Sequence, residues 1–121
     1  MRYAIISDVH ANESALRAVL ADAADMRAEK IVCLGDVLGY GPDPVSALEL
    51  VYRKAHVCLA GNHDDAVSGR YPVEDFTSFA AAAVERHRAA LAPSAVWCRA
   101  SRTIAVASGV QKSTRRPSQA R

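Results

Sequence analysis

The sequence predicts an α/β fold built on a parallel sheet, and three observations support this prediction. Short apolar runs recur at 3–7, 31–34 and 57–60, and each has the length and composition of a strand. Two segments between these runs repeat their apolar residues at helical spacing. Strands that alternate with helices favour a parallel sheet with right-handed crossovers. We therefore expect a βαβαβ order over residues 3–60.

The first strand and helix are expected within the first 26 residues. A tightly bounded apolar run at 3–7 stops at Asp8, which is typical of a buried strand. Asn12 is a suitable N-cap for the segment that follows. The apolar residues of that segment share one helical face: Leu16, Val19, Leu20 and Ala23. A helix over 12–26 is therefore predicted.

The remaining elements follow from turn residues and spacing. The second strand, 31–34, ends at Gly35-Asp36, and the Gly- and Pro-rich segment 39–44 is a loop. Asp43 and Pro44 suit the N-cap and first turn of a second helix. The third strand, 57–60, ends in a polar loop at 61–64. An Ala-rich helix is expected over 75–91, before Pro93.

Charge divides the chain into two regions. Residues 1–85 contain 7 Lys and Arg against 13 Asp and Glu, whereas 86–121 contain 8 basic residues and no acid. We assign 1–98 to a folded domain and 99–121 to a basic, disordered tail. Attraction of this tail to nucleic acid is less favoured than an unstructured end, because no aromatic residues are interleaved with the basic ones. No apolar stretch reaches the length of a membrane span, so a cytoplasmic protein is expected.

Polar side chains follow all three strands of the predicted sheet. They are Asp8 and His10 after the first strand, Asp36 after the second, and Asn62, His63 and Asp64 after the third. Because the carboxyl ends of parallel strands meet at one edge, these groups should converge. Carboxylate, imidazole and amide oxygen together suit a borderline divalent cation such as Mn, Fe or Zn. Asp36, with two oxygens, is able to bridge two ions.

Each cluster taken alone also has an ordinary structural interpretation. Asp-x-His occurs by chance, Gly-Asp is a common turn, and Gly-Asn-His-Asp suits a loop with left-handed backbone. The occurrence of all three in order, each after a strand, favours a functional site. The two other histidines are not expected to be ligands: His56 precedes a strand, and His87 is placed on a solvated helix face. Cys33 and Cys58 are expected to be small buried hydrophobes.

Three segments carry a resemblance to a known family. They read Ser-Asp-Val-His-Ala-Asn at 7–12, Leu-Gly-Asp-Val-Leu-Gly-Tyr-Gly-Pro-Asp-Pro at 34–44 and Ala-Gly-Asn-His-Asp at 60–64. Together they resemble the first three motifs of calcineurin-like metallophosphoesterases. The segment 39–44 is similar to the compact bacterial and archaeal phosphodiesterase branch of that family. The resemblance covers about residues 1–97, the N-terminal half of such a protein.

The resemblance implies a fold and a set of roles. The fold would be the parallel βαβαβ half of a four-layer α/β/β/α sandwich. Asp8 and His10 would hold a first metal ion, Asp36 would bridge two ions, and Asn62 would bind the second. His63 would hydrogen-bond the phosphate and help the leaving oxygen depart, with Asp64 orienting the ring of His63. The implied reaction is hydrolysis of a phosphodiester or phosphomonoester by a metal-bound hydroxide.

The later Gly-His and Gly-His-x-His elements of the family have no counterpart here, since no histidine follows His87. We therefore expect one weakly held ion (Mn, Fe, Zn, Co or Ni) in place of two, and impaired catalysis. Two alternatives stay open: an inactive remnant that binds metal or a partner, and a half-site completed by another chain. Without the second sheet of the family, an exposed sheet face should favour self-association.

Overall fold

A computed structural model describes residues 1–94 of the chain. The predicted basic tail at 99–121 lies outside the described residues, so its disorder stays a prediction, as does the boundary at residue 98. The described elements are β1 (Tyr3–Ile6), α1 (Glu13–Asp25), β2 (Lys30–Cys33), α2 (Pro44–Lys54), β3 (Val57–Cys58), α3 (Asn62–Val67), a 3-10 turn (Val73–Asp75) and α4 (Ser78–Leu91).

The three strands form one parallel sheet in the order β1-β2-β3. Tyr3 pairs with Lys30 at one end of the first two strands, and Ile6 pairs with Cys33 at the other. Cys33 also pairs with Cys58 across β2 and β3. This arrangement confirms the predicted α/β class and places the carboxyl ends of all three strands on one edge.

The predicted starts of the first two helices are confirmed. The side chain of Asn12 accepts a hydrogen bond from the Ala15 N–H at 3.0 Å and so caps α1. Asp43 occupies the N-cap position of α2 with Pro44 in the first turn, but the Asp43 side chain makes no capping hydrogen bond. Proline fixes the backbone there, so α2 begins at this point without a side-chain acceptor.

Two helical details differ from the prediction. The helix expected over 75–91 begins three residues later, at Ser78, because the Thr77 hydroxyl caps it by accepting from the Ala80 N–H at 3.3 Å. The polar cluster expected as a loop at 61–64 instead opens α3. Two acids in the first turn of α3, Asp64 and Asp65, were the sequence signal for a helix start.

The hydrophobic core lies between the helices and one face of the sheet. Its buried residues come from every layer: Leu16, Cys33, Val37, Leu38, Leu48, Val51, Ala66, Val67, Val84 and Leu91. Helix α4 packs against α2 and α3. The Arg88 guanidinium of α4 donates to the carbonyl oxygens of Ala66 and Val67. These bonds satisfy the C-terminal end of α3 and fix it against α4.

The other face of the sheet is apolar and exposed. Its exposed residues alternate along the strands and just beyond them: Tyr3, Ile5, Leu34, Val57 and Leu59. The prediction that the first run is a buried strand is therefore wrong, because the described residues cover only one face of β1. In residues 1–94, no helix is long and apolar enough to cross a membrane.

The exposed sheet face should bind an apolar dye, because contiguous apolar surface of this kind promotes association. We expect Ile5→Lys to reduce 8-anilinonaphthalene-1-sulfonate fluorescence and concentration-dependent sedimentation of the 121-residue chain. Its free energy of unfolding should change by about 0.5 kcal/mol or less, since Ile5 is 67% exposed. Tyr52→Lys, on an exposed residue of α2, is the matched control. Equal dye binding by the wild type and Ile5→Lys would contradict the prediction.

Candidate metal centre

The loops after β1 and β2 continue the pairing of their strands. The Asp8 N–H donates to the Gly35 carbonyl at 3.0 Å, and the His10 N–H donates to the Asp36 carbonyl at 3.0 Å. The Ala11 N–H donates to the Val37 carbonyl at 2.8 Å. These backbone bonds place the Asp8 and His10 side chains beside Asp36, so the predicted convergence of the two loops occurs.

Asp8, His10 and Asp36 form a group able to hold a metal ion. One ligand atom from each lies within 4.8 Å of the other two. His10 Nε2 is 3.4 Å from an oxygen of Asp8. His10 Nδ1 is 2.8 Å from the Leu38 carbonyl, which can only accept, so Nδ1 carries the ring proton. The lone pair of His10 Nε2 is thus free for a cation, as in most metal-binding histidines.

Local electrostatics favour an ionised carboxylate in this group. The Ser7 hydroxyl donates to the Asp8 carboxylate at 2.6 Å and is the main cause that holds the pKa of Asp8 below its usual range. The positive charge that His10 carries when protonated lowers the pKa of Asp8 further. A carboxylate that stays ionised at low pH is ready to receive a cation without first losing a proton.

Left-handed backbone is concentrated in these loops. Asp8, His10 and Asp36 have φ values of 56°, 48° and 52°, and Ala11 and Tyr40 have 53° and 60°. Non-glycine residues adopt this conformation at a cost, and such residues cluster at functional sites. The strain falls on all three members of the Asp8, His10 and Asp36 group. The hydrogen bonds between the loops are what hold it in place.

The third loop meets the second through the Asp36 carboxylate. An oxygen of Asp36 accepts from the His63 N–H at 3.0 Å. A Cβ added at Gly61 would lie 2.0 Å from that oxygen, so only glycine fits at this position. Asn62, the predicted ligand of a second ion, is exposed and is the first residue of α3. Its assignment as a ligand stays a prediction.

Asp64 occupies a different place from the one expected. Its carboxylate accepts from the Leu38 and Gly61 N–H groups, both at 3.0 Å, and from the Val37 N–H at 3.4 Å. His63 Nδ1 is buried without a hydrogen-bond partner, so Asp64 does not hold the His63 ring through that nitrogen. The physical reason is that three backbone donors surround Asp64 and satisfy it. Burial raises the pKa of Asp64 to about 6, against the opposing effect of these donors.

The His63 ring lies among other rings at the edge of the site. Its centroid is 4.9 Å from His10, 4.8 Å from Tyr40 and 4.8 Å from Phe76. Burial is the main cause that lowers the pKa of His63. A Cβ added at Gly39 would lie 2.4 Å from His63 Nδ1, so the glycine lets the loop approach the ring.

His87 supports the site, although the sequence analysis placed it on a solvated face. It is 2% exposed, its Nδ1 accepts from the Gly39 N–H at 3.0 Å, and its Nε2 donates to the Gly41 carbonyl at 2.8 Å. It therefore fixes both sides of Tyr40. Helical spacing could have shown that His87 is buried, because it continues the buried face of α4 formed by Ala80, Ala83 and Val84.

The donor set fits a divalent cation of borderline softness, since it combines two carboxylates with one imidazole. Within residues 1–94 this is the group of histidine, cysteine and acidic ligands that is positioned to hold an ion. Fold and site together define an α/β protein with a candidate metal-ligand group at the carboxyl edge of a parallel sheet.

Comparison with known proteins identifies the family. The sequence model of the calcineurin-like phosphoesterase family matches residues 1–112. The chain therefore belongs to the calcineurin-like phosphoesterases, and its described part has the fold expected of the N-terminal half of such a protein.

Two relatives illustrate the relationship. A metallophosphoesterase from Sphaerobacter thermophilus, known from a crystal structure, is 42% identical to this chain with a TM-score of 0.57. That match covers 77% of this chain and 41% of the other. An uncharacterised protein of Methanocaldococcus jannaschii is 41% identical over 81 residues, which are 67% of this chain and 33% of that protein. The chain thus aligns with well under two thirds of each relative's length.

Protonation of His87 should destabilise the protein. Burial is the main cause that lowers the pKa of His87. The hydrogen bond to the Gly41 carbonyl raises this pKa, and the positive charge of Arg86 lowers it further. The pKa of His87 is lower in the folded protein than its ordinary value of about 6.5, so the unfolded chain binds more protons near that pH. The free energy of unfolding therefore falls as pH falls below about 6.5. A single group changes the free energy of unfolding by at most about 1.4 kcal/mol per pH unit.

The comparison of the wild type with His87→Gln isolates this effect, because glutamine can accept from Gly39 and donate to Gly41 without titrating. We expect the wild type to lose more stability than His87→Gln between pH 7 and pH 5, as measured by urea denaturation. His56→Gln is the matched control, because it removes an exposed histidine whose Nδ1 also accepts from a backbone N–H, that of Ile31 at 3.2 Å. Identical pH dependence of the wild type and His87→Gln would show that His87 does not act in this way.

Proposed function

We propose that this protein is a metal-dependent phosphoesterase that hydrolyses phosphodiester or phosphomonoester bonds. The observation that carries the proposal is the Asp8, His10 and Asp36 group at the strand ends of a chain from this family. Manganese is the cation that we propose first, since Mn accepts both oxygen and imidazole ligands. Fe, Zn, Co and Ni share this tolerance.

Three side chains would hold the cation. The carboxylates of Asp8 and Asp36 supply negative charge, and His10 supplies the lone pair of Nε2 because its Nδ1 proton is used by the Leu38 carbonyl. A bound divalent cation lowers the pKa of water and stabilises charge that develops on a phosphoryl oxygen. The tight loop contacts around Asp36 keep its carboxylate in place while substrate binds.

His63 and Asn62 would act on the substrate side. We propose that His63 hydrogen-bonds a phosphoryl oxygen and passes a proton to the leaving oxygen. Burial disfavours the protonated ring, and the negative charge of a bound phosphate ester opposes that effect. Asn62 would offer its amide oxygen to a second ion shared with Asp36. Asp64 would act indirectly, by holding the loop segments that carry Asp36 and His63.

A single ion is the better expectation for these 121 residues. Asp36 and Asn62 are too few ligands to hold a second ion tightly, whereas the first has three. We therefore expect weak turnover from the chain by itself. Two competing functions stay open. One is an inactive protein that binds metal or a partner, and the other is a half-site completed by another chain.

Turnover of bis-p-nitrophenyl phosphate and p-nitrophenyl phosphate with added Mn tests the proposal. Asp36→Asn should reduce the rate about 100-fold or more, because even partners of metal ligands contribute 10–100-fold. Asp25→Asn, which removes a carboxylate at the end of α1, should leave the rate unchanged.

Each other outcome selects a different function. A rate that rises more steeply than protein concentration would favour the half-site. Stoichiometric Mn binding without turnover would favour the inactive binding protein. Failure to bind Mn would remove the basis of the proposal.

A further inference from the structure

The Tyr40 ring lies directly against the candidate site. Its centroid is 5.0 Å from that of His10 and 4.8 Å from that of His63. Tyr40 is nevertheless 43% exposed, so one part of the ring contacts the site while another part meets solvent. Its backbone has a φ of 60°, and His87 fixes the glycines on both sides. The backbone that carries this aromatic ring is thus held on both sides, at the edge of the candidate site.

A second ring extends this surface away from the metal ligands. Phe79, in the first turn of α4, is stacked with Tyr40 at a centroid distance of 6.1 Å and an interplanar angle of 22°. It is 66% exposed, unlike Ala80, Ala83 and Val84, which bury the opposite part of the helix. An isolated exposed phenylalanine needs no explanation. Here the exposed ring is continuous with Tyr40 and, through it, with the two site histidines.

We propose that Tyr40 and Phe79 form an aromatic subsite that receives the base of a nucleotide phosphoester. The inference rests on the proposed function, because it assumes that the phosphate binds beside His63 and the metal ligands. One ring, Tyr40, separates Phe79 from His63. The sugar of a nucleotide separates its base from its phosphate in a similar way.

Stacking explains why the subsite suits a base. Every base has a planar π-face, and aromatic side chains bind such faces in offset or edge-on arrangements. Stacking tolerates any base, so the subsite selects nucleotides over sugar phosphates and does not select one base by hydrogen bonding. Larger purine faces should stack more strongly than pyrimidine faces.

The test compares two ligands that differ only in the base. Calorimetric titration of the Mn-loaded 121-residue chain with AMP and with ribose 5-phosphate gives the ratio of their dissociation constants. We expect AMP to bind about 10-fold more tightly, the usual contribution of one stacked base. Phe79→Ala should bring the ratio close to one and leave ribose 5-phosphate binding unchanged. Tyr3→Ala removes an exposed ring at the opposite end of β1 and should leave both affinities unchanged.

A second measurement separates this inference from the phosphoesterase proposal. Adenosine, which has no phosphate, should shift the NMR resonances of the Phe79 ring in the wild type. An affinity ratio near one in the wild type, or a ratio unchanged by Phe79→Ala, would overturn the subsite even where ribose 5-phosphate binds. Adenosine shifts without binding of either phosphate would support the subsite and reject the phosphoesterase proposal. Absence of adenosine shifts would also overturn the subsite.

Discussion

The Asp64 carboxylate is the interaction on which the candidate site depends. It is 1% exposed and accepts hydrogen bonds from three backbone N–H groups, two in the loop after β2 and one at the start of α3. A buried carboxylate without partners would be neutral or strongly destabilising. The three donors offset the cost of burying the negative charge, and each would lose its hydrogen-bond partner without the carboxylate. Asp64 thus joins the loop of Asp36 to the loop of Asn62 and His63.

This connection helps to hold the strained backbone of the candidate ligands in place. Asp8, His10 and Asp36 all have left-handed φ values, which cost free energy and relax unless surrounding contacts oppose them. Backbone hydrogen bonds between the loops after β1 and β2 oppose this relaxation. The hydrogen bonds of Asp64 and the close approach of Gly61 to Asp36 oppose it from the loop after β3. The site is therefore a property of three loops held together, and no single loop would keep its geometry alone.

Much of this arrangement could be predicted from the sequence, because it follows from periodicity and topology. Apolar runs fixed the strands, and parallel pairing then required Asp8, His10 and Asp36 to meet at one edge. The partner of Asp64 could not be predicted, since backbone N–H groups leave no mark in the sequence. His87 was misplaced because its two charged neighbours, Arg86 and Arg88, suggested solvent, whereas its helical spacing indicated the core. The first strand was expected to be buried, and local pattern does not reveal which layer covers each face of a sheet.

The affinity of the Asp64→Asn variant for Mn tests the account most directly. Asparagine replaces one acceptor oxygen by an N–H donor, so backbone donors that now bind the carboxylate would face another donor. Isothermal titration calorimetry should show affinity about 10-fold or more below that of the wild type, although Asp64 is not a proposed ligand. Asp22→Asn, on the exposed surface of α1, should bind Mn as the wild type does. Equal Mn affinity in a folded Asp64→Asn variant would contradict the claim that this carboxylate holds the ligand loops together.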